Sequence, residues 1–140
     1  MKKKNTALFI DGENISAKES SKIFEVVRRV GRLDQAKVYG LQKDPRTSVW
    51  SQLAKKNEFL KDVRLCGGPA PDKVDKKIQK DIASTIRKQK NIDIVVIASC
   101  DHGYAPIVKQ ARAAGKRVII IGTKNTSKRT VLACNKFVCI

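Results

Sequence analysis

The chain has 140 residues, and its 30 Lys and Arg against 13 Asp and Glu give a formal net charge of +17 near neutral pH. This length is typical of one domain that can bury a core without disulfides or structural metals, so we expect residues 1–140 to form a single domain. Apolar residues make up 41% of the chain, which excludes a disordered polycation. No apolar run approaches the roughly 20 residues needed to span a bilayer, so no membrane partner is expected.

The cysteines form neither a metal-binding nor a disulfide pattern. They stand at positions 66, 100, 134 and 139 without a CxxC pair, and His102 is the only histidine. A zinc site therefore lacks ligands, and free thiols are typical of a reducing compartment. The apolar segment near the start ends at Asp11, before the h-region of a signal peptide could form. We therefore expect a cytoplasmic protein.

Strand and helix signals alternate along the chain. Residues 6–10 predict a buried strand, Ser16 and Ser20 can cap a helix that Gly31 ends, and a second strand is predicted at 36–41. A helical stripe at 49–54 and a weaker strand at 63–66 follow. After a loop rich in Gly and Pro at 67–71, a long helix is predicted over about 73–90.

The second half repeats this alternation. The strongest strand signal is at 92–99, and the next helix runs through 107–114, with Pro106 in its first turn and Gly115 at its end. A strand at 118–121, a short helix near 127–133 and a strand at 137–140 complete the chain. Strands that are apolar on both faces and alternate with helices predict a mostly parallel sheet covered on both sides, which is a three-layer α/β sandwich.

Three acids are expected at one edge of this sheet. Asp11 and Asp101 follow directly on two predicted strands, at the carboxyl ends where parallel sheets bind ligands. Asp75 falls in the first turn of the long helix, on its apolar stripe, and that turn follows a loop from the same edge. Carboxylates gathered in this way repel one another unless a cation joins them, and oxygen ligands favour Mg²⁺ or Mn²⁺. In a basic protein such a metal suits phosphodiester hydrolysis.

Other polar residues are candidates for supporting roles. Asn14 and Ser99 could orient the acids, and Asp81 is either a secondary acid or the partner of a nearby lysine. The candidate contacts to a phosphate backbone are Lys73 and Lys124, which follow the same sheet edge. His102 could serve as a general base, although a lone loop histidine is more often a polar surface residue.

Each acid also has a structural alternative. Asp101 could cap a helix, Asp75 could favour a helix N-terminus through the dipole, and Asp11 with Gly12 could form an ordinary turn. Aromatic residues are few, so base stacking is not expected to dominate recognition. Those that a base might reach are Tyr39, Trp50, Phe59 and Tyr104.

Four segments together resemble the NYN domain, the LabA-like branch of the PIN-like nucleases. They are FIDGENI at 9–15, KVD at 73–75 with Asp81 on the same helix, VIASCDHGYAPIV at 96–108 and GKRVI at 115–119. The resemblance spans nearly the whole chain and implies a Rossmann-like fold and a metal-dependent ribonuclease. Carried over residue by residue, the resemblance implies metal-binding acids at Asp11, Asp75 and Asp101. It places Asn14 and Ser99 beside them.

Two positions depart from the family pattern. Members often have a second acid in a Ser-Gly-Asp-Ser-Asp-Phe motif where this chain has Gly103, and an Asp at the end of the last helix where it has Asn135. The change at Gly103 removes a carboxylate from the expected metal site. The alternative function is therefore a non-catalytic RNA-binding module derived from a nuclease fold. A receiver-like phosphoryl acceptor is less favoured, because only Lys124 matches its pattern.

Overall fold

The computed structural model describes residues 4–42, 44–67, 70, 72–101 and 103–140, with the backbone alone at 46 and 47. The described strands are β1 (Asn5–Asp11), β2 (Arg32–Leu41), β3 (Leu60–Leu65), β4 (Ile94–Ala98), β5 (Arg117–Gly122) and β6 (Lys136–Cys139). The helices are α1 (Ser20–Val30), α2 (Pro45–Lys56), α3 (Lys73–Lys88), α4 (Ala105–Ala113) and α5 (Lys128–Ala133), and a 3₁₀ turn, Ala17–Glu19, precedes α1.

The described strands form one sheet in the order β3-β2-β1-β4-β5-β6, and all neighbouring pairs are parallel. The chain builds one half outward from β1 and the other half outward from β4, so the strand order reverses between these two central strands. In sheets of this kind ligands bind outside the carboxyl ends at that reversal point. The predicted α/β sandwich is therefore confirmed, and its reversal point lies between the strands that precede Asp11 and Asp101.

The two faces of the sheet bury separate cores. Ala7 and Phe9 of β1 pack with α3, α4 and α5, whereas Leu8 and Ile10 pack with α1 and α2. This division follows from the two-residue period of a strand. Asp11 has the same parity as Phe9, which directs its carboxylate toward the α3 and α4 face.

A tight turn fixes the loop after β1. The Gly12 N–H donates to the Tyr39 carbonyl oxygen at 2.8 Å, and a Cβ at Gly12 would lie 2.6 Å from that oxygen. The indole Nε1 of Trp50 donates to the Ile15 carbonyl oxygen at 2.8 Å. The loop that carries Asn14 is therefore anchored to β2 at one end and to α2 at the other.

Most predicted elements lie within a few residues of the observed ones, and β2 is among those that differ most. It begins at Arg32 rather than near residue 36, because its first residues are partly exposed and show no buried pattern. The helix α3 ends at Lys88, slightly before the predicted end. Part of the predicted loop at 67–71 and the whole of His102 lie outside the described residues. In the described part of the chain, no helix has the length and apolar character of a membrane span.

Candidate metal and nucleic-acid site

The carboxylate of Asp11 lies at the carboxyl end of β1, only 1% exposed, within a set of donors. Its Oδ2 accepts from Asn14 Nδ2 at 2.8 Å and from the Ser99 hydroxyl at 3.1 Å. Its Oδ1 accepts from the backbone N–H of Glu13 at 3.2 Å. These donors offset the loss of hydration that burial imposes on a carboxylate.

The side chain of Asn14 joins the two strand-end acids. Its Nδ2 also donates to Asp101 Oδ2 at 2.9 Å, so the two acceptor oxygens lie no farther apart than the sum of their distances to that nitrogen. The backbone N–H of Asp101 donates in turn to the Ser99 hydroxyl oxygen at 3.2 Å. The predicted orienting residues Asn14 and Ser99 therefore lie in contact with the predicted acids Asp11 and Asp101.

Asp75 approaches the same edge from the first turn of α3. Its Oδ2 accepts from Gln79 Nε2 at 3.1 Å. Burial raises the pKa of Asp75, the nearby Tyr104 hydroxyl and Gln79 amide partly oppose the rise, and the negative charge of Asp11 adds to it. Asp75 is therefore close enough to Asp11 for the charge of Asp11 to affect its pKa.

Tyr104 lies between these acids and is 1% exposed. Burial and the charges of Asp11 and Asp75 raise the pKa of its hydroxyl well above the ordinary value, so the group stays protonated. The Tyr104 hydroxyl oxygen and Asp75 Oδ1 are both buried, and neither meets hydrogen-bond geometry with a described residue. Buried polar atoms of this kind call for a ligand, a water or an ion.

Gly103 lies beside Asp75 in a conformation that favours glycine. Its φ is +100°, and a Cβ built there would lie 3.9 Å from Asp75 Oδ2. Gln79 Nε2 also donates to the Gly103 carbonyl oxygen at 3.4 Å. A carboxylate at this position would therefore lie next to Asp75. The backbone of this chain has a positive φ there, which favours glycine over an acid.

Asp81 lies in a different set of contacts. Its Oδ2 accepts from the Tyr39 hydroxyl at 2.7 Å, and its Oδ1 pairs with Lys77 Nζ at 3.1 Å. Of the two roles expected for Asp81, its contacts favour the partner of a nearby lysine. It ties α3 to β2.

The two predicted phosphate contacts differ in setting. Lys73 Nζ donates to the Cys66 carbonyl oxygen across the loop before α3. Lys124 is exposed in the loop after β5, at the carboxyl edge of the sheet. Asn135, by contrast, lies near the amino end of β5, where its Oδ1 accepts from the Val118 N–H at 2.8 Å. Its difference from the family pattern therefore leaves the acids at the carboxyl edge unaffected.

The expectation that four aromatic side chains might be reached by a base was wrong for three of them. Tyr39, Trp50 and Tyr104 are buried, whereas Phe59 is exposed and packs edge to face on Phe24. The sequence did not predict that Gln79 donates to Asp75, or that Tyr104 is buried beside the acids. The spacing of Asp75 and Gln79, four residues apart on one helix, was a signal for their contact.

The acids at this edge can be compared with the ligand set that a divalent ion requires. No three His, Cys, Asp or Glu side chains of the described residues form a cluster that could hold a metal by themselves. Mg²⁺, however, is commonly held by one or two carboxylates and several waters. The carboxylates of Asp11 and Asp101, which meet at the Asn14 amide, would supply ligands in that mode, with Asp75 beside them.

The fold and this site define an α/β domain with an acidic edge at the reversal point of a parallel sheet. The NYN domain family model matches residues 5–140, so the chain belongs to the NYN domain family. Its fold is accordingly that of the PIN-like nucleases, a group that is generally ribonuclease-like.

The same fold occurs in a protein of unknown function from Vibrio parahaemolyticus RIMD 2210633, whose crystal structure is similar with a TM-score of 0.76. The two share 19% sequence identity over 99% of this chain and 93% of the other. Among curated proteins, none matches the chain.

Proposed function

We propose that this domain is a metal-dependent ribonuclease that hydrolyses RNA phosphodiester bonds at the carboxyl edge of its sheet. The observation that carries the proposal is the Asn14 amide, which donates to Asp11 and Asp101 together. Two facing carboxylates at the reversal point of a basic α/β domain are suited to hold a cation against a phosphate. We further expect the domain to comprise residues 1–140 and to act in the cytoplasm, where its four free cysteines would remain reduced.

Asp11 and Asp101 would hold Mg²⁺ or Mn²⁺, with waters completing the coordination. When bound, such an ion lowers the pKa of a water and stabilises charge on a phosphate. Asp75, with its raised pKa, would accept a proton from the attacking water and hold that water in line. Asn14 and Ser99 would fix the rotamer of Asp11, and Lys73 and Lys124 would contact the backbone phosphates on either side.

The test is cleavage of labelled RNA with Mn²⁺, with EDTA, and by the Asp11→Asn variant. We expect EDTA and the substitution each to lower the rate by about 100-fold or more, because both remove charge stabilisation at the phosphate. Asp34→Asn is the matched control, since Asp34 is exposed near the amino end of β2. Cleavage that continues equally under all conditions would contradict the mechanism.

A specific observation favours a second function, that of a non-catalytic RNA-binding module. Gly103 stands where an acid would lie beside Asp75, and the domain therefore has one carboxylate fewer for a metal. This function predicts RNA binding that weakens with salt and no product after long incubation with Mn²⁺. A product that requires both Mn²⁺ and Asp11 would exclude it.

A further inference from the structure

We propose that a groove beside the Asp11–Asp101 network binds one nucleobase of the RNA, that of the nucleotide next to the cleaved phosphate. The groove has a volume of about 540 Å³ and lies between the loop after β1 and the start of α2. The residues that line it include Asn14, Ile15, Lys18, Pro45 and Val49. This inference rests on the proposed function, because it assigns the substrate contact of the same site.

The position of the groove links it to the acids. Asn14 forms part of its wall, and the amide of the same side chain donates to Asp11 and Asp101. A ligand in the groove would therefore contact Asn14, and the Asn14 side chain contacts both carboxylates. A phosphate at the acids and the base of the adjoining nucleotide in the groove can belong to one RNA strand.

The chemistry of the groove suits the face of a base. Its far wall is formed by Pro45 and by Val49, a large apolar side chain that is 51% exposed. Because Tyr39, Trp50 and Tyr104 are buried, the aliphatic wall takes the place of an aromatic platform. Lys18, which also lines the groove, is exposed and would supply positive charge for a neighbouring phosphate.

The groove also has a suitable size, and one of its walls is anchored. Small-molecule sites have volumes of roughly 300–1,000 Å³, and the groove, at about 540 Å³, lies within that range and admits a nucleobase. The bonds from Gly12 to Tyr39 and from Trp50 to Ile15 anchor both ends of the loop that forms one wall. A preformed wall reduces the ordering cost of binding, so a single base can contribute measurably to affinity.

The test measures binding in EDTA, so that no cleavage is needed. The probes are a fluorescein-labelled RNA pentamer of mixed sequence and the same pentamer with abasic ribose at every position. We expect Val49→Ala to weaken binding of the intact pentamer by about three- to tenfold, because part of the apolar wall is lost. The abasic pentamer should bind the variant and the unchanged protein equally.

Leu132→Ala is the matched control, because Leu132 is 81% exposed and lines a separate groove with Lys124 and Phe137. The inference is overturned if Val49→Ala has no effect, if it weakens both probes equally, or if Leu132→Ala produces the base-dependent loss instead. Unchanged thermal unfolding of both variants verifies that they fold.

The outcome for the groove is distinguishable from that for the nuclease. If the protein cleaves RNA with Mn²⁺ but Val49→Ala does not change binding, the groove proposal is rejected and the nuclease proposal is kept. If there is no cleavage but Val49→Ala causes a base-dependent loss of binding, the nuclease proposal is rejected. The groove would then be the base contact of an RNA-binding module.

Discussion

Two carboxylates of the site share one amide nitrogen, and the third lies between a glutamine and a tyrosine. Asp11 is the more buried acid, yet it accepts three hydrogen bonds from Glu13 N–H, Asn14 and Ser99. Asp75 is less buried, but its Oδ1 has no described hydrogen-bond partner. Ionising Asp75 is therefore costly, because burial raises its pKa and the nearby Tyr104 and Gln79 side chains oppose the rise only in part.

The raised pKa of Asp75 has a consequence for stability. A carboxyl group whose pKa rises on folding binds a proton more tightly in the folded state, so stability falls as pH increases from near its ordinary value of 3.8 through the raised value. We expect Asp75→Asn to be more stable than the unchanged protein at neutral pH in EDTA, since the ionised group is removed and an acceptor for Gln79 is retained. The difference should shrink toward pH 3.

Urea unfolding at a series of pH values measures this difference. The control is Asp34→Asn, because Asp34 is exposed on the opposite edge of the sheet. A variant that is less stable at neutral pH, or a difference that does not change with pH, would contradict the assignment. With Mn²⁺ present the order should reverse if Asp75 contributes to holding the ion.

Substitutions at Gly103 can distinguish the effect of backbone strain from the effect of the missing acid. With φ at +100°, we expect Gly103→Ala to lower the free energy of unfolding by about 1–3 kcal/mol, as side chains in sparsely populated conformations do. Gly103→Asp should cost more in EDTA, because its carboxylate would lie near Asp75. Mn²⁺ should recover part of the additional cost in the Asp variant and none in the Ala variant, as measured by urea unfolding. Equal responses to Mn²⁺ would show that position 103 lies outside the metal site.

The sequence predicted which acids meet because each follows directly on a predicted element. Asp11 and Asp101 end strands whose carboxyl ends lie side by side in a parallel sheet, and that placement requires only the order of the elements. It could not predict that Asn14 donates to both acids, because this contact depends on the anchored turn at Gly12. Nor could it predict that Asp81 turns to Tyr39, because that depends on how α3 crosses β2.

At the scale of elements, α3 presents one face to the core and one to solvent. Val74, Ile78 and Ile82 are buried, whereas Lys76, Lys80 and Arg87 are exposed. The three basic residues are four and seven positions apart, so they form one stripe about 16 Å long that begins next to Asp75. We expect this stripe to contact the backbone of the proposed RNA substrate as it leaves the acids.

Replacing Lys76, Lys80 and Arg87 together by Gln should weaken RNA binding and lower the slope of log K against log salt by about two. Fluorescence anisotropy at several KCl concentrations measures both effects. A matched triple replacement of Arg28, Lys55 and Lys56, which are exposed on α1 and α2 of the other face, should change them less. Equal losses from the two triple variants would indicate charge attraction without a defined path.

At the scale of the whole molecule, the charge of +17 acts on stability as well as on binding. Positive charges in excess repel one another in the compact state, and salt screens this repulsion with a Debye length of about 10 Å at 0.1 M. We expect the melting temperature of the free protein to rise between about 0.02 and 0.3 M KCl, while RNA affinity falls over the same range. Calorimetry and anisotropy measure the two trends. Parallel trends of the same sign would contradict this electrostatic account.

The fold was largely predictable because its signals are local. The apolar strands 6–10, 92–99 and 118–121 and the helices between them carry their own periodicity, and the alternation of strand and helix leaves few topologies other than a parallel sheet. The start of β2 was missed because residues 32–35 are partly exposed at the amino end of the sheet, where burial imposes no pattern.

The sequence by itself determined the α/β class, the sheet edge that carries Asp11 and Asp101, and the net charge of +17. Each of these follows from residue order and composition. The tertiary structure alone decided that Asn14 joins the two acids, that Tyr104 is buried against Asp75, and that a groove opens between Asn14 and Val49. These contacts join parts of the chain that packing alone brings together, and no local pattern records them.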